Sequence, residues 1–207
     1  MSTESRPPEG RATDPEAAYA YRLRTLERRW LARTFDVQRP YRRNIRRLSP
    51  GFVLDVGCGL GRNLSHLDGN GVGVDADKVA VATARDRGLT AFTPEEFATS
   101  EYAIPGRFDS LLAAHLLEHL TPDAAEALLR HHLPFVRPGG GVILICPQQA
   151  GFASDGTHVT YLDGDALVAL AARCGVSDTR VRSFPFPRVA GRVFKYNETV
   201  LVGRAPE

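Results

Sequence analysis

The chain has 207 residues, 43% hydrophobic and 24% charged, with a formal net charge of +2. That length suits one domain with a sizeable core. No apolar run approaches the roughly 20 residues a membrane helix needs, and the stretch "MSTESRPPEGRATDPEAA" lacks the apolar centre of a secretory signal. Three cysteines, Cys58, Cys146 and Cys174, are an odd number set among apolar residues and glycine, which argues against a disulfide framework and for a reducing cytoplasm.

Residues 1–15 are polar and rich in Pro, Glu and Ser, the composition of a disordered tail. Residues 16–48 read as an N-terminal helical cap. Tyr19, Tyr21, Leu23, Leu26, Trp30, Leu31 and Phe35 recur mostly two to four apart, and Pro40 divides the stretch into two helices. Twelve arginines against six acids fall within residues 1–47. Because aromatic and aliphatic residues are interleaved, the arginines read as a solvated helical face, with an anionic ligand or nucleic acid as the alternative.

From residue 49 to 207 the period alternates. β-rich runs are expected at Phe52–Val56, Gly71–Asp75, Leu89–Phe92, Phe108–Ala113 and Val142–Cys146. Helices are expected at Arg62–Leu67, Lys78–Arg87, Asp123–Val136 and Asp165–Cys174. Alternating strands and helices imply a parallel sheet covered on both faces, and a run such as "GVILIC" suits a strand buried on both sides. Two final strands, within 176–186 and 192–204, leave no room for a crossover helix, so one strand near the end is antiparallel. The fold class is α/β, a doubly wound sheet preceded by N-terminal helices.

The first strand ends in "GCGLG". Glycine there permits positive φ and a close approach to a ligand, while the following helix offers free N–H groups to an anion. A dinucleotide turn is usually G-x-G-x-x-G, but Gly57, Gly59 and Gly61 stand at alternate positions after Asp55. One strand later "VGVDAD" places Asp75 where an acid accepts hydrogen bonds from a ribose diol.

Asp55-x-Gly57-x-Gly59-x-Gly61, Asp75, "FDSLLAAHLLEHL" at 108–120 and "RPGGGVILICPQ" at 137–148 together resemble the class I S-adenosylmethionine-dependent methyltransferases, nearest their small-molecule, ubiquinone-biosynthesis-type branch. The resemblance covers roughly residues 40–205. It implies a Rossmann-like sheet of seven strands with the last one antiparallel, and S-adenosylmethionine as cofactor. It implies that Gly57, Cys58, Gly59 and Gly61 underlie the methionine part and that Asp55 reaches its amino group. It further implies that Asp75, with Ala76 beside it, binds the ribose and that Ala114 and His115 line the methionine side. "FTPEEF" departs from the family's usual acid-containing turn, so Glu95, Glu96 or Phe97 is expected at the adenine.

His115–His119 also fits H-x-x-E-H, an inverted zinc-binding helix. Thr121-Pro122 would cut that helix short, so no metal is assigned. The resemblance makes "LEH" a structural signature in which Glu118 and His119 bond the backbone. His115 either packs beside the methionine chain or serves as general base. His158 either lines the acceptor pocket, as a second candidate base, or caps its loop. The expected acceptor surface combines the N-terminal helices, the loop Gln148–Tyr161 and the link Pro185–Asn197, with Phe186, Arg188 and Tyr196. The expected activity is methyl transfer to an O, N or C atom of a small molecule, with no membrane partner. Rival readings are an RNA methyltransferase using the basic N-terminus, a non-catalytic cofactor-binding module and a nicotinamide-linked dehydrogenase. No Asn-Pro-Pro-Tyr-like motif follows the fourth strand, which argues against the RNA reading.

Overall fold

The computed structural model describes residues 38–207. The expected tail and the part of the helical cap at 16–37, with Arg22, lie outside the described residues. Helix α1 (Arg39–Arg47) carries Pro40 in its first turn, where the missing N–H removes no helical bond.

Seven strands follow: β1 (Val53–Val56), β2 (Gly71–Val74), β3 (Ala91–Phe92), β4 (Phe108–Ala114), β5 (Val136–Pro147), β6 (Ser177–Phe184) and β7 (Glu198–Arg204). They form one sheet in the order β3-β2-β1-β4-β5-β7-β6. The pairs β1·β2, β1·β4, β2·β3 and β4·β5 are parallel, and β7 runs antiparallel to both β5 and β6. The α/β expectation, with its antiparallel last strand, is therefore met.

Both faces are covered. Leu54, Val56, Leu111, Leu144 and Leu201 pack with Leu129 of α5 (Pro122–His132) and with Leu167 and Leu170 of α7 (Gly164–Arg173). The opposite face joins Val53, Leu112, Ile143 and Val200 to Ile45 of α1, Leu64 of α2 (Arg62–His66) and Val81 of α3 (Lys78–Asp86). Sheet residues therefore meet apolar groups on either side, which is why the central strands read as continuous apolar runs. The edge strand β6 is mostly exposed and carries Arg180 and Arg182, charges that discourage further strand pairing.

Several elements differ from the sequence expectation. The helix expected over Asp123–Val136 stops at His132, because Pro134 sits in a 3₁₀ turn, Leu133–Phe135, and Val136 already pairs with Phe108. A helix α4 (Pro94–Ala98) was not expected; Thr93 and Glu96 close a capping box around its start. A one-turn helix α6 (Gln149–Phe152) opens the loop after β5. Among the described residues no helix is long and apolar enough to cross a membrane, and all three cysteines are free and buried.

Candidate active site

At the carboxyl end of β1 the chain turns through Gly57, Gly59 and Gly61, with φ of 72°, 52° and 76°. The three glycines serve different purposes. A Cβ on Gly57 would lie 2.8 Å from the Leu116 methyls, and one on Gly61 2.3 Å from Leu89 Cδ1. Both make room for packing. A Cβ on Gly59 would meet nothing within 4 Å, so this glycine alone borders open space. Gly61 sits at the start of α2, where its missing side chain makes room for Leu89 and Ala84. Cys58 turns its thiol inward, 5% exposed, and leaves only its backbone toward the turn.

Asp55 is fully buried, and neither carboxylate oxygen has a hydrogen-bond partner. Burial first, and then the neighbouring charge of Asp75, push its pKa up to about 7, opposed in part by Arg62 and Asn63. An orphaned acid under an open turn is poised for a cationic group. Asp75 follows β2 and accepts the Gly59 N–H at 2.7 Å and the Asp77 N–H at 2.8 Å. Burial raises its pKa, and those two bonds pull it down. It ties the glycine turn to β2 and still has lone pairs for a diol. Asp77 caps α3, and Ala76 between them is exposed.

Glu96 and Phe97, expected at the adenine, have other partners in the structure. Phe97 is 2% exposed and packs edge-on against Phe135 at 5.1 Å. Glu96 pairs with Arg85 at 2.6 Å and accepts the Thr93 N–H at 2.8 Å. The helix that begins at Thr93 turns both away. Glu95 is exposed beside them.

The carboxyl ends of β4 and β5 meet the start of β7 in a second cluster. Ala114 is nearly buried. His115 has a φ of 57°, rare for a residue with a side chain. Its Nε2 lies 2.8 Å from Glu198 Oε1 and its Nδ1 3.4 Å from Glu118 Oε1. Burial alone would lower the His115 pKa, but the facing carboxylates of Glu118 and Glu198 outweigh it and raise the value to about 9. With both ring nitrogens facing carboxylates, His115 holds its proton at neutral pH. Of its two expected roles, packing beside the methionine chain or general base, a proton already held does not suit the second.

Sequence reasoning missed Glu198. It opens β7, 83 residues from His115, and only strand pairing brings the two together. Its backbone is fixed by a buried amide network in which Gln148 Nε2 donates to the Glu198 carbonyl at 3.0 Å and Asn197 Nδ2 to Gln148 Oε1 at 2.9 Å. One signal was available: an acid interrupting the apolar run "TVLV" from its first position. Tyr41 of α1 leans over this edge. Its hydroxyl donates to the Tyr196 carbonyl at 2.6 Å, and burial, with Glu198 nearby, raises its pKa.

His158 lies beside His119, ring centres 4.8 Å apart, and stacks on Phe152 at 5.2 Å. Its Nδ1 donates to the Phe152 carbonyl at 2.7 Å. His119 does bond the backbone, through Nδ1 to the Thr157 carbonyl at 3.3 Å. For Glu118 it is the carbonyl, not the carboxylate, that meets the backbone, accepting from Val159 and Thr160.

A concavity of about 1060 Å³ lies elsewhere: it opens at the other end of the sheet beside Arg47, Asp109, Arg137 and Arg204. It has neither the glycine turn nor the buried acids.

Residues 53–140 match the family model described as a methyltransferase domain. No curated protein matches the sequence. Among solved structures, the fold is similar to a SAM-dependent methyltransferase from Archaeoglobus fulgidus, with 16% identity, a TM-score of 0.64, and 92% of this chain and 100% of that one covered. A possible histamine N-methyltransferase from Thermotoga maritima is similar at 16% identity and a TM-score of 0.69, covering 91% and 98%. A TehB-like SAM-dependent methyltransferase from Corynebacterium glutamicum is similar at 20% identity and a TM-score of 0.64, covering 90% and 98%. These likenesses concern the fold. The chain carries a match to a methyltransferase domain over residues 53–140, set within the strand order, glycine turn and paired acids described above, in a fold shared with S-adenosylmethionine-dependent methyltransferases.

Proposed function

We propose that the acceptor is a small molecule, methylated at an O, N or C atom beside the His115–Glu198 edge, as in the ubiquinone-biosynthesis-type branch. When bound, S-adenosylmethionine supplies an electrophilic methyl group on a sulfonium. On this reading the buried Asp55 carboxylate attracts the cofactor's ammonium group, Asp75 accepts from its ribose hydroxyls, and the open face of Gly59 gives it room. The observation that carries the reading is the orphaned Asp55 carboxylate. A buried acid without a partner is costly unless a cation completes it.

Acceptor positioning falls to Tyr41, Tyr196 and the link 185–197. Asn197 holds that link by accepting the Phe186 N–H at 2.9 Å. If the nucleophile is a hydroxyl, its proton passes to the Glu198 carboxylate, which His115 holds in place. The site must align nucleophile and methyl and keep water out, which is where most of the rate enhancement arises.

The test is calorimetric titration with S-adenosylhomocysteine, then a cofactor-consumption screen over phenols, amines, carboxylates and tRNA. Saturable binding with turnover on a small molecule is expected. Turnover on tRNA alone would overturn the acceptor assignment, and no binding at millimolar concentration would overturn the cofactor site as placed.

A further inference from the structure

Glu118, His119 and His158 converge outside the glycine turn. One ligand atom from each lies within 4.8 Å of the other two. The sequence motif H-x-x-E-H would use both of its own histidines on one helix, and that geometry does not form. Leu117–His119 is a 3₁₀ turn, and His115 swings away to Glu198. A histidine from the loop after α6 takes its place, 39 positions beyond His119 in the chain.

Three features make this a donor set rather than a chance grouping. Glu118 is fully buried and neither carboxylate oxygen accepts a hydrogen bond, although the His115 imidazole stands as an ion-pair partner with Nδ1 3.4 Å from Oε1. Each histidine is oriented through Nδ1. His158 Nδ1 faces the Phe152 carbonyl at 2.7 Å, and a carbonyl only accepts, so that nitrogen carries the proton. His119 Nδ1 faces the Thr157 carbonyl and the Thr157 hydroxyl, both at 3.3 Å. That hydroxyl already donates to Asp155 Oδ1 at 2.7 Å, so toward His119 it can only accept. In the neutral rings the lone pair is left on Nε2 of both residues. A ligating histidine is commonly fixed this way, its other nitrogen donating to a carbonyl or a carboxylate-linked group.

We propose that Glu118, His119 and His158 bind one first-row divalent cation of the zinc class. Two imidazoles and a carboxylate are borderline donors that suit such an ion and leave coordination positions open. Metal–ligand bonds of about 2.0–2.1 Å place donor atoms about 3.3 Å apart, so a spread of up to 4.8 Å closes by about 1.5 Å on loading. His119 and His158 are half-buried and Glu118 is buried.

The test uses the full chain, stripped with chelator and titrated with Zn²⁺ by calorimetry and with Co²⁺ by visible absorption. One equivalent is expected, with d–d bands of a four- or five-coordinate site and a rise in the thermal midpoint that chelator reverses. His119→Ala, His158→Ala and the isosteric Glu118→Gln should each weaken binding by more than about 100-fold, beyond what loss of an orienting partner costs. His131→Ala should leave it unchanged, since the His131–His132 pair is the other place two imidazoles meet. Thermal melts in chelator show which variants fold; should one fail, the remaining variants and the chelator-reversible shift of the native chain still decide. No stoichiometric binding at 100-fold excess over protein, or binding lost in His131→Ala and kept in His119→Ala, overturns the site. S-adenosylhomocysteine affinity, measured alongside, separates failure of this site from failure of the cofactor reading.

Discussion

The two halves of the cleft are built by different means. Under the glycine turn, Asp55, Gly59 and Asp75 lie within 21 residues, and neighbouring parallel strands in register bring them together. At the carboxyl ends of β4 and β5, His115 meets Glu198 across 83 residues, and His119 meets His158 across 39, through an antiparallel strand and a long loop. The first half is a property of one β–turn–α unit, and the second exists only when the whole sheet is assembled. They touch where Leu116 fills the place of a Gly57 side chain. A perturbation of the local half should therefore appear in cofactor binding, and one of the assembled half in turnover.

Asp75→Ala should give the largest effect. It removes the acceptor of two backbone N–H groups as well as the proposed ribose contact. Bonds to a charged group are worth roughly 1.5–3 kcal/mol each, so S-adenosylhomocysteine affinity should fall by about 100-fold or more. An unchanged affinity by calorimetry would detach Asp75 from the cofactor.

Asp55 sharpens the comparison through pH. Its folded pKa, about 7, is raised above the ordinary carboxylate value, so the folded chain binds the extra proton. Its contribution to stability is fully present below about pH 4 and is lost as pH rises from about 4 to about 7. The span of about 3 pKa units corresponds to about 4 kcal/mol. Asp55→Asn should flatten that part of the stability–pH curve in denaturant titrations. In the native chain, cofactor binding should release a proton near pH 6, read as a dependence of binding heat on buffer ionisation. Equal heats in phosphate and in imidazole would argue that no cation reaches Asp55.

Glu198→Gln probes the assembled half. The amide keeps the β7 backbone pairing and its contact distance to His115 but cannot take up a proton. Turnover on a hydroxyl acceptor should drop by about 100-fold, at the low end for loss of a general base, with S-adenosylhomocysteine affinity unchanged. If affinity falls in step with kcat, the two halves are coupled more tightly than their separate construction suggests.

That division also explains what was legible in the sequence. The glycine turn, Asp75 and the alternation of strands and helices are local patterns, so the sheet and half of the cleft follow from spacing alone. β5 was expected to begin at Val142, because "RPGGG" reads as loop. It begins at Val136, since the backbone pairs with Phe108 before the glycines and slips register after them. Gln148 and Asn197 had no local signature and Glu198 only the acid before "TVLV"; their roles depend on which strands become neighbours. The metal motif failed as a helix pattern, for the reason the sequence supplied, Thr121-Pro122. The residues of that motif regrouped through tertiary contact instead.

The smallest effect tests a local pattern that carries two readings. "FTPEEF" was assigned to the adenine, yet Thr93-Pro94-Glu95-Glu96 is also a capping box, and the helix it starts carries Phe97 into the core. Thr93→Ala removes the cap acceptor of the Glu96 N–H and should cost about 1 kcal/mol, or about 2–4 °C in Tm. Glu96→Gln loses the charge paired with Arg85 in an exposed position, where ion pairs contribute little. Neither substitution should change S-adenosylhomocysteine affinity by more than about twofold, because neither side chain faces Asp55 or Gly59. A tenfold loss in Glu96→Gln with Tm unchanged would return this acid to the cofactor and require α4 to rearrange on binding. The same loss in Thr93→Ala alone would show only that α4 supports the end of β3 beside Asp75, whose N–H donates to Phe92 at 3.1 Å.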